Sequence, residues 1–154
     1  MNIAIIDDIS TDAEALKNIA VSYFEKKQIR AEICHFFSAE EFFEDYQPGK
    51  FQILFLDIYM DGANGIEIAR ELRGFDPDCL LIFTTTSTDH ALDGFKVRAL
   101  HYLVKPYNEK EISELMDEVL SRIPDSGKYI DVKVNGSNIQ VPFRSIVFAE
   151  HFSH

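Results

Sequence analysis

The feature that most constrains the fold is the alternation of short apolar runs with longer amphipathic segments over residues 1–122. Four runs are almost continuously apolar, which is typical of parallel strands covered on both faces. A fifth run is more mixed in polarity and therefore fits the edge of a sheet. The predicted strands are, in chain order, 3–6, 31–37 (the mixed run), 51–56, 80–84 and 101–104.

The segments between these runs carry helix start signals. A Ser or Thr followed three residues later by Glu predicts a capping box, in which side chains satisfy the free N–H groups of the first helical turn. Helices are predicted to start at Thr11, Ser38, Asn64, Thr88 and Asn108. Five strands alternating with five helices predict an α/β fold with a doubly wound, mostly parallel sheet.

The pattern changes after a break at 123–127 that is rich in turn-forming residues. Two alternating runs, 129–134 and 137–142, are separated by Asn135-Gly136, which predicts a β-hairpin with a two-residue loop. A further short strand is expected at 146–148.

Three regions follow from this pattern. One domain is predicted over 1–122, a linker over 123–128, and an incomplete β-segment over 129–154. The last region is interpreted as the start of a domain whose remainder is absent, because so few residues cannot bury a core of their own.

Charge and composition exclude several functions. The net charge is −11, and because acidic and basic residues balance in 123–154, the excess lies in 1–122. Such a surface disfavours contact with nucleic acid or an anionic membrane. No apolar stretch is long enough to cross a bilayer and no secretory signal is present, so a cytoplasmic protein is expected. Cys34 and Cys79 are predicted to be reduced core thiols.

Polar side chains stand where the predicted strands end. In an open parallel sheet these ends meet at one edge, where ligands bind. The residues are Asp7 and Asp8 after the first run, Asp57 after the third, Thr84 and Thr85 at the fourth, and Lys105 and Pro106 after the fifth. Three carboxylates, a hydroxyl and an ammonium are therefore expected to converge.

Converging carboxylates repel one another unless a proton or a cation neutralises them. Magnesium suits the arrangement because it prefers oxygen ligands and bridges carboxylates to phosphates. Asp57 is then predicted to be a nucleophile that forms an aspartyl phosphate. Mg²⁺, Lys105 and a threonine hydroxyl would neutralise charge on the phosphoryl oxygens, which is the main requirement of phosphoryl transfer.

Residues 1–122 resemble the receiver domains of bacterial two-component response regulators. The resemblance lies in the order of four motifs, each at a predicted strand end. They are Ile5-Ile6-Asp7-Asp8, Leu56-Asp57-Ile58-Tyr59-Met60 with Gly65 eight residues after Asp57, Thr84-Thr85, and Ala99 to Pro106. It implies a flavodoxin-like sheet with strand order 2-1-3-4-5.

The resemblance also implies the roles of the site residues. Asp8 would ligate Mg²⁺ directly and Asp7 mainly through water. Asp57 and the backbone carbonyl of Tyr59 would complete the protein ligands. The phosphoryl donor would be a phosphohistidine on a sensor histidine kinase, and the chain would catalyse its own phosphorylation and dephosphorylation rather than act as a classical enzyme.

A switch is implied as well. Phosphorylation would draw Thr85 inward and let Tyr102 rotate, which would remodel the face formed by the helix after Thr88, the strand at 101–104 and the last helix. That face is a candidate homodimer surface. Thr84 remains an alternative to Thr85, because three threonines follow one another.

The resemblance has further implications for single positions, and three residues differ from the usual receiver sequence. A cis peptide bond is expected at Lys105-Pro106, and Tyr59 and Ser87 would tune dephosphorylation. Three residues depart from the common family pattern: Asp61 stands where proline is frequent, Ile9 where an acidic residue is common, and Arg98 where glycine is frequent.

The segment after residue 128 resembles the start of a LytTR-type DNA-binding domain. If so, the natural protein regulates transcription, and DNA contacts would lie in the remainder of that domain. Alternatives are a haloacid dehalogenase-like phosphotransferase or phosphatase, a flavodoxin-like flavin carrier, and a stand-alone protein–protein signalling module. The first alternative needs Asp-x-Asp after the first strand and the second a phosphate-binding loop, and Asp7-Asp8-Ile9 supplies neither.

Overall fold

Five parallel strands form the central sheet of the computed structural model, which describes residues 1–87, 96–123, 129–134 and 137–142. Their order is β2-β1-β3-β4-β5, so the predicted 2-1-3-4-5 topology is confirmed. All five residues of β3 are buried, whereas β2 at the edge is half exposed, as its mixed sequence indicates. The strands are β1 (Asn2–Ile6), β2 (Glu32–Phe36), β3 (Ile53–Asp57), β4 (Leu80–Thr85) and β5 (His101–Val104).

Four helices are described: α1 (Ser10–Lys26), α2 (Ala39–Asp45), α3 (Gly65–Phe75) and α4 (Glu109–Arg122). The predicted cap of α2 is confirmed, because Ser38 Oγ accepts a hydrogen bond from the Glu41 N–H at 3.2 Å. Asn64 and Asn108 cap α3 and α4 in a similar way. The predicted helix after Thr88 lies outside the described residues.

The prediction that a capping box at Thr11 starts α1 is wrong. The helix begins at Ser10, and Ile9 occupies the N-cap position without a side-chain hydrogen bond. The Asp7 carboxylate accepts the Ile9 N–H at 3.0 Å, and the Ile9 carbonyl accepts the Asp12 and Ala13 N–H groups at 3.1 Å. The chain therefore already turns into the helix at Ile9, and Thr11 lies inside the first turn.

The segment that follows β3 lies beside the edge of the sheet where the strands end. Tyr59–Met60 pairs antiparallel with Ala63–Asn64. Gly62, in the turn between them, has a φ of 78°, a left-handed conformation that glycine adopts without steric cost. Helix α3 follows directly at Gly65.

Arg73 anchors the segment that leads into β5. Its guanidinium donates to the carbonyls of Cys79 and Val97 at 2.8 Å each, and to the carbonyl of Arg98 at 3.3 Å. Arg98 has a φ of 51°, a left-handed conformation that glycine adopts without steric cost, and glycine is the residue that the resemblance to receiver domains would favour here. These hydrogen bonds fix the start of the strand that leads to Lys105.

Two compact units are present, Met1–Leu115 and Met116–His154. The predicted hairpin in the second is confirmed with its expected bounds, β6 (Tyr129–Val134) paired antiparallel with β7 (Ser137–Pro142). The predicted strand at 146–148 lies outside the described residues, and the predicted domain limits stay predictions. Cys34 and Cys79 are both free, and Cys79 is buried. Among the described residues, no helix is long and apolar enough to cross a membrane.

Candidate functional site

The carboxyl ends of β1, β3 and β5 bring the predicted acidic and basic residues together. Asp57 is the last residue of β3 and pairs in register with Thr84 of β4. Asp7 directly follows β1, and Lys105 directly follows β5. Asp7 and Asp57 are only 1% and 3% exposed, so two carboxylates are buried at this edge.

Lys105 lies at the centre of this cluster. Its Nζ is 2.8 Å from Asp7 Oδ2, 2.8 Å from Asp57 Oδ2 and 2.9 Å from Asp12 Oδ2. The side chain of Lys105 is 6% exposed. A buried ammonium is stable only when it is paired, and here three carboxylates share it.

Burial and the neighbouring groups together shift the pKa values of Asp7 and Lys105. Burial raises the pKa of Asp7 above its ordinary value, although hydrogen bonds from Lys105 and the Ile9 N–H oppose that shift. Burial alone would lower the pKa of Lys105, but hydrogen bonds to Asp57, Asp7 and Asp12 outweigh it and the pKa is raised. The lysine is therefore a permanent cation at this edge.

The three predicted metal ligands are close enough to share one ion. Asp7, Asp8 and Asp57 each offer a carboxylate oxygen, and these oxygens lie within 4.8 Å of one another. Asp8 Oδ1 is buried and has no hydrogen-bond partner in the described part of the chain. An unpaired buried carboxylate oxygen is costly, and a hard divalent cation such as Mg²⁺ would satisfy it. The donor set fits that ion.

The backbone of Asp61 orients Asp8. The backbone N–H of Asp61 donates to Asp8 Oδ2 at 2.8 Å. Proline, which the resemblance to receiver domains would favour at this position, has no N–H and could not make this bond. The other carboxylate oxygen of Asp8 is thereby left for a cation. An open cavity of about 440 Å³ lies beside it, lined in part by Ile9, Tyr59 and Asp61.

Backbone contacts hold Asp57 on both sides. Its Oδ1 accepts the Tyr59 N–H at 3.2 Å, and the Ile58 N–H donates to the Thr84 carbonyl at 3.1 Å. The Gly65 N–H donates to the Ile58 carbonyl at 3.1 Å. A Cβ on Gly65 would overlap the Asp57 carbonyl oxygen and stand 2.9 Å from the Ile58 Cα. The glycine eight residues after Asp57 is therefore required by the close approach of α3 to the end of β3.

The predicted switch residues lie on the two strands beyond Asp57. Thr84 and Thr85 are both buried at the end of β4, and Thr85 Oγ1 accepts the Ser87 N–H at 3.1 Å. Tyr102 on β5 is half-buried, with its ring centroid 5.7 Å from that of Phe83. The Lys105-Pro106 peptide bond is cis, as the resemblance implied.

Two residues at this edge were not predicted from the sequence. Asp12 pairs with Lys105, but the sequence pattern only placed it within the first turn of the predicted helix. Tyr107 is partly buried beside the cluster, and burial raises the pKa of its hydroxyl. The only sequence signal for Tyr107 was its position two residues after Lys105, which does not predict the direction of a side chain.

Comparisons with known proteins bear on the family of the chain and on its fold. The family model described as the response regulator receiver domain matches residues 3–117. The sensory transduction protein LytT of Bacillus subtilis is 31% identical over 117 residues, which cover 75% of this chain and 46% of that protein. The chain spans about half the length of most of the LytT proteins it matches.

Two solved structures share the fold. The response regulatory domain of mrkE from Klebsiella pneumoniae is 23% identical with a TM-score of 0.70, and the match covers 79% of this chain and 96% of that domain. The BeF3-activated receiver domain of DrrB, from Thermotoga maritima, is 26% identical with a TM-score of 0.60; the match covers 78% of this chain and 97% of that domain.

Proposed function

The chain belongs to the response regulator receiver family, and from this premise we propose that Asp57 accepts a phosphoryl group from a sensor histidine kinase in a Mg²⁺-dependent reaction. The observation that carries the proposal is the buried cluster of Asp7, Asp57 and Lys105, beside which Asp8 has one carboxylate oxygen with no partner among the described residues. This arrangement combines a nucleophile, a fixed cation and an oxygen that can bind a second cation.

Asp57, Lys105 and Thr85 each have a separate role in the phosphoryl transfer. A carboxylate oxygen of Asp57 attacks the phosphorus of a phosphohistidine, a new O–P bond forms, and the N–P bond breaks with release of the imidazole. Lys105, already 2.8 Å from Asp57, neutralises charge on the phosphoryl oxygens. A hydroxyl from Thr85 donates to another of these oxygens. Hydrolysis of the same O–P bond returns Asp57 to the free carboxylate. The chain thus catalyses both its own phosphorylation and its own dephosphorylation.

Magnesium would be held by Asp8, Asp57 and the Tyr59 carbonyl, with Asp7 acting mainly through water. When bound, the ion neutralises the acidic cluster and the transferred phosphoryl group. Asp8 is prepared for this role because the Asp61 N–H fixes one of its oxygens, while the other has no partner among the described residues.

Thr85 and Tyr102 are proposed to carry the signal away from Asp57. Thr85 lies on β4, the neighbour of β3, and Tyr102 lies on β5, the next strand along. Tyr102 is half-buried against Phe83, and it would move when Thr85 is drawn toward the phosphoryl group. Tyr59, 45% exposed at the cavity, and Ser87, hydrogen-bonded to Thr85, are proposed to tune the lifetime of the phosphoryl group.

The output is proposed to be transcription regulation through a LytTR DNA-binding domain in the whole protein. Support comes from the similarity to LytT proteins and from the hairpin β6–β7, which matches the predicted start of such a domain. Dimerisation through the face that includes β5 and α4 is proposed to follow phosphorylation. DNA contacts are assigned to the rest of the output domain, because residues 1–122 carry the whole acidic excess.

Asp8→Ala tests the metal part of the proposal. Loss of this carboxylate is expected to weaken Mg²⁺ binding about tenfold or more, equivalent to about 1.4 kcal/mol, because the proposed direct ligand is removed. Isothermal titration with Mg²⁺ measures the affinity. Phosphorylation by acetyl phosphate should become slow at low Mg²⁺ and recover at high Mg²⁺.

The matched control is Glu67→Ala, which removes an exposed carboxylate from the first turn of α3 and should leave both measurements unchanged. Equal Mg²⁺ affinities for Asp8→Ala and the unsubstituted chain would show that Asp8 is not a ligand.

A further inference from the structure

We propose that Asp12 competes with the phosphoryl group on Asp57 for the ammonium of Lys105, and so lowers the stability of the phosphorylated state. The inference rests on the proposed function of Asp57. It assigns a positioning role to a residue that lies outside the four receiver motifs.

The contacts of Lys105 show why the two anions compete. An ammonium has three N–H donors, and three carboxylates lie within 2.9 Å of Nζ: those of Asp7, Asp12 and Asp57. The lysine side chain is 6% exposed, so its cationic head has little room to leave this position. Its donors are therefore fully engaged before any phosphoryl group arrives.

Asp12 differs from the other two carboxylates. Asp7 and Asp57 share the oxygen cluster with Asp8 that fits a divalent ion, and a bound cation would neutralise them. Asp12 stands on the first turn of α1, outside that cluster, with its side chain 33% exposed. Its negative charge therefore still faces Lys105 when a cation is bound.

Phosphorylation makes this charge unfavourable. It adds close to two negative charges and three strong acceptor oxygens beside the lysine. Lys105 must then divide its donors between Asp12 and the phosphoryl oxygens, so those oxygens receive fewer of its hydrogen bonds. Because Asp12 is one-third exposed, solvent screens its attraction for Lys105, and a moderate effect is expected rather than an all-or-none one.

The test measures binding of beryllium trifluoride, a mimic of the phosphoryl group, at saturating Mg²⁺ by isothermal titration. Asp12→Asn removes the charge with little change of shape and should bind the mimic about three- to tenfold more tightly. Asp12→Ser, a second neutral variant, should agree. Asp12→Glu should return the affinity toward that of the unsubstituted chain.

Two comparisons separate this role from a structural one. Glu14→Gln removes an exposed charge from the same helix and should not change the affinity. In a Lys105→Met background the effect of Asp12→Asn should vanish, whereas an effect through the stability of α1 would persist there. Mg²⁺ affinity without the mimic should stay within about twofold, because Asp12 is not a ligand.

Unchanged or weaker binding of the mimic by both neutral variants would overturn the inference, as would a gain that persists without Lys105. Failure of the unsubstituted chain to bind the mimic in Mg²⁺ would instead overturn the proposed function, and the role of Asp12 with it. Binding by the unsubstituted chain with no change in the variants refutes the role of Asp12 alone.

Discussion

Gly65→Ala is expected to lower the free energy of unfolding by about 3 kcal/mol, near the upper end of what overpacking costs. The added methyl would overlap the carbonyl oxygen of Asp57 and stand 2.9 Å from the Ile58 Cα. Both neighbours are backbone atoms in a buried strand end, so neither can move aside as a flexible side chain would. Urea denaturation measures the loss.

The chain provides a matched control on the same helix. Gly74 lies near the other end of α3, and a Cβ there would meet nothing within 4 Å. Gly74→Ala is therefore expected to be neutral or to stabilise the protein by up to ~1 kcal/mol, since alanine favours a helix over glycine. Equal effects of the two substitutions would contradict the close approach of α3 to Asp57.

Lys105→Met is expected to destabilise the Mg²⁺-free protein by about 3–5 kcal/mol, the usual cost of removing one partner from a buried ion pair. The substitution leaves Asp7 and Asp57, both almost fully buried, without their cation. Saturating Mg²⁺ should restore most of this stability, because a divalent ion can neutralise the same carboxylates. Urea denaturation with and without Mg²⁺ measures both effects.

Lys110→Met is the control, because Lys110 is 84% exposed and its nearest ion pair, with Glu114, is 3.7 Å long. It should change stability by less than about 0.5 kcal/mol, with no dependence on Mg²⁺. A Lys105→Met variant as stable as the Lys110→Met variant in Mg²⁺-free buffer would mean that Lys105 does not neutralise the buried carboxylates.

The sheet and the residues at its edge were predictable from the sequence because both depend on local patterns. Buried parallel strands are continuously apolar, and a polar residue that ends such a run must lie at the carboxyl edge. The positions of Asp57 and Lys105 followed directly, and so did the hairpin, since Asn135-Gly136 favours a two-residue loop. The family resemblance supplied the strand order, which periodicity alone leaves open.

The remaining contacts depend on tertiary distances that no local pattern encodes. The capping-box pattern at Thr11 gave Asp12 no role, yet Asp12 Oδ2 lies 2.9 Å from Lys105 Nζ. The hydrogen bond from the Asp61 backbone N–H to the Asp8 carboxylate joins residues 53 positions apart in the chain. Gly65 was recognised from its spacing, but the reason for it is the position of α3 against the Asp57 carbonyl.

The most direct test of the central claim is the intact mass of the chain after incubation with acetyl phosphate and Mg²⁺. The unsubstituted chain should gain one phosphoryl group and should gain none when the metal is chelated. Asp57→Asn should gain none under any of these conditions, while the nearby Asp61→Asn still gains one. A phosphoryl group that appears on the Asp57→Asn variant in a Mg²⁺-dependent manner would contradict the assignment of Asp57 as the acceptor.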